Sequence, residues 1–376
     1  MSQRSTEGPS GPPLGDLVDW LQEEGDFVHW FRRIEIGSIA SVDGAWGSAC
    51  ALFAATLAAR SPEPVVVLCS DADRMDALAD EWPLFSDGLC DRFPAWETDP
   101  GERLVHDAVF GHRVRLLKTL AGSERADRPR LIATDVQSLL QGVPAKEQLS
   151  AATRRLHVSD RVDLDELVYW LDAVGLHRTS AVELPGEFAL RGGLLDIFAA
   201  DLLHPVRVET FGEQIESIRQ FSVTSQRSLR EESFVEITAL SAETDATHDL
   251  TAYLPPESIL LLLEPIQLNE QARHYLERTE APEKHLSYQQ LMQRCASFRI
   301  VTAESIAATR NEQSLSLPFA SIERFTGDIQ RVRGELDACV ADETVDIICT
   351  TDAECERVGE ILAPTRVAQA KRLTLS

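Results

Sequence analysis

The sequence is poor in aromatic residues, which make up 6% of its 376 positions, and poor in basic residues, 36 against 61 acidic. The resulting formal charge of −25 argues against a chain whose main task is wrapping nucleic acid, although local basic patches remain open. No apolar run reaches the roughly 18 residues that a membrane-spanning helix needs, and no secretory signal peptide is legible. The seven cysteines (Cys50, Cys69, Cys90, Cys295, Cys339, Cys349, Cys355) are odd in number and form no C-x-x-C pair. These absences predict a chain of the reducing cytoplasm, with no metal site and no membrane partner. What is there is ordinary globular composition, 44% apolar, at a length that allows two or three domains.

A lysine is also missing where it matters. Cys50 to Ala59 reads as an alanine-rich helix and Val65 to Leu68 as a continuously apolar strand, the start of an α/β unit with a covered parallel sheet. Ser41 to Ser48, SVDGAWGS, sits where a phosphate-binding loop would sit. A working loop needs G-x-x-x-x-G-K-[ST], with backbone amides around the phosphates, a lysine on the β and γ oxygens and a hydroxyl on magnesium. Set against that pattern, Ser41 replaces the first glycine, Trp46 the second and Gly47 the lysine; Gly44 lies between them and only Ser48 keeps its chemistry. The bulk of Trp46 also crowds the space a phosphate chain requires. The expectation is a degenerate loop without nucleotide.

The most informative stretch is Leu176 to Val223. Phe188 and Leu190 alternate with Ala189 and Arg191, Leu195 and Ile197 with Leu194 and Asp196, and Val206 and Val208 with Arg207 and Glu209. This period of two predicts short strands of a small sheet with one covered face, joined at Gly192-Gly193 by a turn or bulge. Arg191 then points away from the packed face. A small antiparallel subdomain without a site is one reading; an arginine on a rigid strand, offering its fork of donors to a carboxylate, is the other.

Residues 185–198, PGEFALRGGLLDIF, and 206–221, VRVETFGEQIESIRQF, resemble the second domain of bacterial transcription-repair coupling factor and, less closely, the matching domain of the excinuclease protein UvrB. In both families that domain binds the excinuclease protein UvrA, so the resemblance implies the same partner here. In UvrB the arginine before the glycine of an F-x-x-R-G strand, and another thirteen residues earlier, belong to that interface. The resemblance carries these roles to Arg191 and Arg178. Ala189 departs from it, since UvrB has a further arginine there. The worn loop at 41–48 and the tryptophan-centred stretch 93–103 also resemble the amino-terminal module of this family.

Elsewhere, Val162 to Val174 reads as an amphipathic helix, and Ile259 to Leu263 as a strand covered on both sides. Glu264-Pro265 follows it where an active helicase would place a magnesium-holding acidic pair. His106 and His112, six residues apart near Asp107, read as solvated or packing side chains rather than ligands.

The expected fold is α/β. A degenerate helicase-like parallel-sheet domain carries an inserted, small, mostly antiparallel α+β domain, and the start of a further small α/β domain follows. The expected division is a helical segment at 1–34, first domain half 35–145, insertion 146–240, second half 241–312, and linker with partial small domain 313–376. The last residues read as leaving that small sheet incomplete. The resemblance implies a recruiting module with no cofactor of its own. ATP and magnesium, and contacts with RNA polymerase and duplex DNA, would belong to motor and polymerase-binding domains absent from this chain. The alternative is a stand-alone ATP-dependent helicase or a nuclease-type enzyme.

Overall fold

The computed structural model describes residues 14–96, 108–122, 125–238, 240, 248–305, 314–317, 319, 329–339, 344–349 and 351–375. His106, and the tryptophan-centred stretch beyond Trp96, lie outside them. The chain divides into two compact units, Met1–Leu317 and Pro318–Ser376.

In the first unit, α1 (Gly15–Glu23) and α2 (Gly25–Phe31) lead into β1 (Ile39–Asp43), α3 (Ala49–Arg60), β2 (Val65–Cys69) and α4 (Ala72–Glu81). Then come β3 (Cys90–Phe93), α5 (Ala108–Ala121), β4 (Leu131–Asp135), α6 (Val136–Leu140) and α7 (Lys146–Ala151). The middle of the chain supplies β5 (Thr153–His157), α8 (Leu164–Ala173), β6 (His177–Arg178), β7 (Glu187–Arg191), β8 (Leu194–Phe198), β9 (Val206–Phe211), β10 (Gln214–Phe221), β11 (Ser228–Glu232) and β12 (Phe234–Thr238). It closes with β13 (Ile259–Leu263), α9 (Pro265–Arg278), α10 (Tyr288–Cys295), β14 (Arg299–Glu304) and β15 (Ser314–Ser316).

Seven of these strands form one sheet in the order β15-β1-β14-β13-β2-β4-β3, parallel throughout. Its central strands, VVVLC and ILLLL, are buried at every position, as strands with helices on both faces must be. Helix α3 is covered likewise: Cys50 to Ala58 is buried without a break, as a helix apolar on every side must be. Because β13 and β14 lie between β1 and β2, the chain leaves this sheet after β4 and re-enters at its centre. Exit and return are bonded to each other, Val143 N–H to His248 O at 2.7 Å and His248 N–H to Val143 O at 3.2 Å.

The intervening segment builds a six-stranded sheet, β11-β10-β9-β8-β7-β6, antiparallel except for β6 beside β7. Phe188, Leu195, Ile197, Val206, Val208, Ile215 and Ile218 pack against Leu167, Val168 and Leu171 of α8 and against the β5–β12 pair. Each such side chain contributes about 1.5–3 kcal/mol by leaving water. The expectation of one covered face needs correction, because Val182, Ala189 and Phe198 form a small second cluster on the other side. Helix α5 approaches this module closely. A Cβ on Gly111 would stand 2.2 Å from Ala200 O, and Lys118 Nζ meets the buried Asp201 at 2.7 Å.

The second unit holds α11 (Ile329–Cys339), β16 (Val345–Ile347), α12 (Asp352–Leu362), α13 (Arg366–Gln369) and β17 (Leu373–Leu375). Here too the sequence expectation is corrected. The last residues do add a strand, β17 pairing in parallel with β16, because the helices between them return the chain in the same direction.

Candidate functional site

The face of the six-stranded sheet opposite α8 carries Arg191. Register aligns Ala189, Asp196, Arg207 and Arg219 in one transverse row, and Arg191, Leu194, Glu209 and Ser217 in the next. Asp196 is 4% exposed and accepts both fork nitrogens of Arg207, Nε at 2.6 Å and Nη2 at 2.8 Å. The Arg207 guanidinium also lies over the Phe221 ring, 4.6 Å from its centroid. These hydrogen bonds, opposed by desolvation, hold the Arg207 pKa above its ordinary value. Beside them Glu209 accepts from Ser217 Oγ and Arg219 Nη2, both at 3.1 Å.

Arg191 ends β7 with its side chain 56% exposed, and its Nη2 reaches the same Asp196 carboxylate at 3.8 Å. It is therefore steered by a buried charge but not consumed by it, and a solvent-facing fork can still meet an external carboxylate. Gly192 and Gly193 make the turn after it for different reasons. Gly192 takes φ +61 in open space, whereas a Cβ on Gly193 would sit 2.6 Å from Thr210 O of the neighbouring strand. At this end of the sheet Leu194 and Phe211 are exposed, Phe211 by 78%.

Arg178 is also exposed, on the two-residue edge strand β6. It pairs with Phe188, so the register assigns it to the face of Phe188, and Arg191, three residues further along β7, to the face of Ala189. The two arginines flank the sheet edge and do not form one patch. Ala189 is covered by Val182 and Phe198, so a longer side chain there would have to displace that cluster. Asp196, Arg207, Glu209 and Arg219 were not singled out from the sequence as site residues. The signal was present, since they share the period-2 parity of Arg191.

The second candidate, 41–48, begins differently from the motif alignment. Ser41 is not in a loop but inside β1, paired with Thr302 and Ser314, its Oγ 2.7 Å from Ser314 Oγ. The connection proper is Gly44 to Ser48. Gly44, at φ +85, packs under Leu317, whose carbonyl would lie 3.2 Å from a Cβ. Gly47, at φ +55, has open space around it, Trp46 is partly exposed, and Ser48 Oγ donates to Glu81 at 2.9 Å.

The carboxyl ends of β1, β14 and β13, where an open parallel sheet receives ligands, present Asp43, Glu304 and Glu264. Desolvation, then the charges of Glu264 and Asp43, hold the Glu304 carboxyl above its usual range. Negative charge thus gathers at these strand ends, and Gly47 stands where a phosphate chain would need a lysine. His112 is exposed on α5, and among the described residues no group of three His, Cys, Asp or Glu side chains has the arrangement of a metal site. No described helix is long and apolar enough to cross a membrane.

Residues 155–242 match the family model of the UvrB interaction domain. The chain is 39% identical over 232 residues to the transcription-repair-coupling factor of Mycobacterium tuberculosis, covering 59% of this chain and 18% of that one. It is 32% identical over 186 residues to that of Escherichia coli (49% and 16%) and 26% identical over 219 residues to that of Bacillus subtilis (57% and 18%). The matches therefore span less than a fifth of each of these relatives, between 16% and 18% of their length. With its parallel sheet and inserted module, the chain thus contains a segment that matches the UvrB interaction domain and is similar, over roughly half of its length, to these transcription-repair-coupling factors.

Proposed function

We propose that this chain is a protein-recruiting module whose inserted domain binds the excinuclease protein UvrA, bringing the excision machinery to lesions in transcription-coupled nucleotide excision repair. The observation that carries the reading is Arg191. It is an exposed guanidinium on a rigid strand, aimed by a buried carboxylate, within the segment that matches the UvrB interaction domain. ATP-driven translocation, RNA polymerase and duplex DNA are assigned to further domains of the full-length protein, and the present chain works without cofactor. That assignment is supported by Gly47 in the lysine position and by the carboxylates gathered at the neighbouring strand ends. Isothermal titration with ATP and magnesium is expected to give no saturable heat, and micromolar binding would refute this part.

The recruiting face is tested by surface plasmon resonance against UvrA, with circular dichroism melts alongside. Truncating a desolvated arginine in a carboxylate contact costs about 2–5 kcal/mol of binding, mainly through faster dissociation. Arg191→Ala is expected to show that loss with an unchanged melt. Arg178→Ala, on the other face by register, reports separately whether the partner wraps the sheet edge. Wild-type dissociation from a folded double variant would place the recruiting surface elsewhere.

A further inference from the structure

We propose that Cys349 and Cys355 in the second unit form an oxidisable dithiol, a modification site at which a peroxide converts two facing thiols into an intrachain disulfide. Cys349 lies two residues beyond β16, and Cys355 lies in the first turn of α12. The short connection between strand and helix therefore brings together two sulfurs from neighbouring elements. Thr351 caps α12, its hydroxyl accepting the Glu354 N–H at 3.3 Å, while Cys355 N–H donates to Thr351 O at 3.0 Å. These bonds fix the turn that carries Cys355. The two thiols share a hydrogen bond, and both residues are partly exposed.

Of the other cysteines whose side chains are described, none has this combination. Cys50, Cys69 and Cys295 are buried, and burial pushes the Cys50 thiol up to about 11 and that of Cys295 to about 12, which withholds the reactive thiolate. Cys90 is partly exposed but stands on β3, and desolvation pushes it to about 11. Cys349 is raised to about 11 chiefly by its hydrogen bond to Cys355, then by desolvation and the charges of Cys355 and Glu354. Cys355, on the first turn of α12, is assigned the attack on the oxidant, and Cys349, beyond the end of β16, its resolution.

In the first step the Cys355 thiolate attacks a peroxide oxygen. The O–O bond breaks, and for hydrogen peroxide hydroxide leaves and takes a proton from solvent to become water. Cys355 is now a sulfenic acid. Cys349 then loses its proton to solvent and its sulfur displaces hydroxide from Cys355, forming the S–S bond; the hydroxide leaves as a second water. Two thiols and one peroxide become one disulfide and two waters.

The test treats the full chain with hydrogen peroxide, quenches it, alkylates remaining thiols in denaturant and maps peptides by mass spectrometry. The expected product is a reducible cross-link between the Cys349 and Cys355 peptides. In a Cys349→Ser variant, with wild-type circular dichroism as the control for folding, dimedone is expected to label Cys355. In Cys355→Ser, Cys349 is expected to remain alkylatable. Full alkylation of both cysteines after peroxide, separate oxidation to sulfinic acids without a cross-link, or a cross-link to another cysteine would each overturn the proposal.

Discussion

At the scale of single residues, the arrangement around Asp196 sets what the open face can offer. Arg207 occupies this buried carboxylate in a bidentate pair, whereas Arg191 touches it only at 3.8 Å with most of its side chain in water. The first contact is strong because it is geometric and poorly hydrated; the second is long and screened. Asp196→Asn removes the charge but keeps the shape, leaving the partly buried Arg207 without its counterion. The expected cost is about 2–4 kcal/mol, toward the lower end of what breaking a buried pair brings, since Arg207 retains some access to solvent. Urea unfolding reads it, and a change below about 0.5 kcal/mol would mean that the pair behaves like a surface one.

At the scale of elements, the hairpin joining β7 and β8 uses its two glycines for different reasons. Gly192 needs its left-handed backbone, and in open surroundings an alanine there costs about 1–2 kcal/mol. Gly193 needs the absence of a Cβ, because Thr210 O of β9 stands 2.6 Å from where that atom would be and Thr210 N–H donates to Gly193 O at 2.8 Å. Gly193→Ala must push β9 away, with an expected loss of about 1–3 kcal/mol and a local loosening of the Thr210 amide. Thermal melts and amide exchange check both substitutions; equal protection of Thr210 in the variant and the parent would contradict the close-approach account. The strands themselves were legible as alternation. The second small cluster was not, because Val182 comes from a loop that no periodicity marks.

For the first unit as a whole, the inserted sheet is fastened to the parallel-sheet part by specific contacts. Lys118 on α5 pairs with Asp201, whose side chain is 2% exposed, and reaches Glu236 at 3.5 Å. Lys118→Met leaves the buried Asp201 without its ion-pair partner, and breaking such a pair typically costs about 3–5 kcal/mol. The expected result is faster amide exchange in β7 to β9 with that of β2 and β13 little changed. Uniform loosening of both sheets would show instead that they unfold as one body. The Val143–His248 bridge stays intact in this variant, so the effect isolates the α5 contact.

Much of this molecule was legible in local pattern. Alternation marks β7 to β9, unbroken apolar runs mark the covered strands β2 and β13, and the missing lysine at 47 is visible by alignment to a motif, because period, hydrophobicity and side-chain chemistry are properties of neighbours in sequence. What tertiary structure alone decided depends on which distant strands become neighbours. Pairing with β14 and β15 put Ser41 inside a strand, and pairing of β17 with β16 gave the last residues a sheet partner. Parallel pairing of β6 with β7 assigned Arg178 and Arg191 to opposite faces, since one residue of register turns every side chain to the other side. The partners of Arg191 and Lys118 likewise arise from hairpin register and from helix docking, distances that no local pattern encodes.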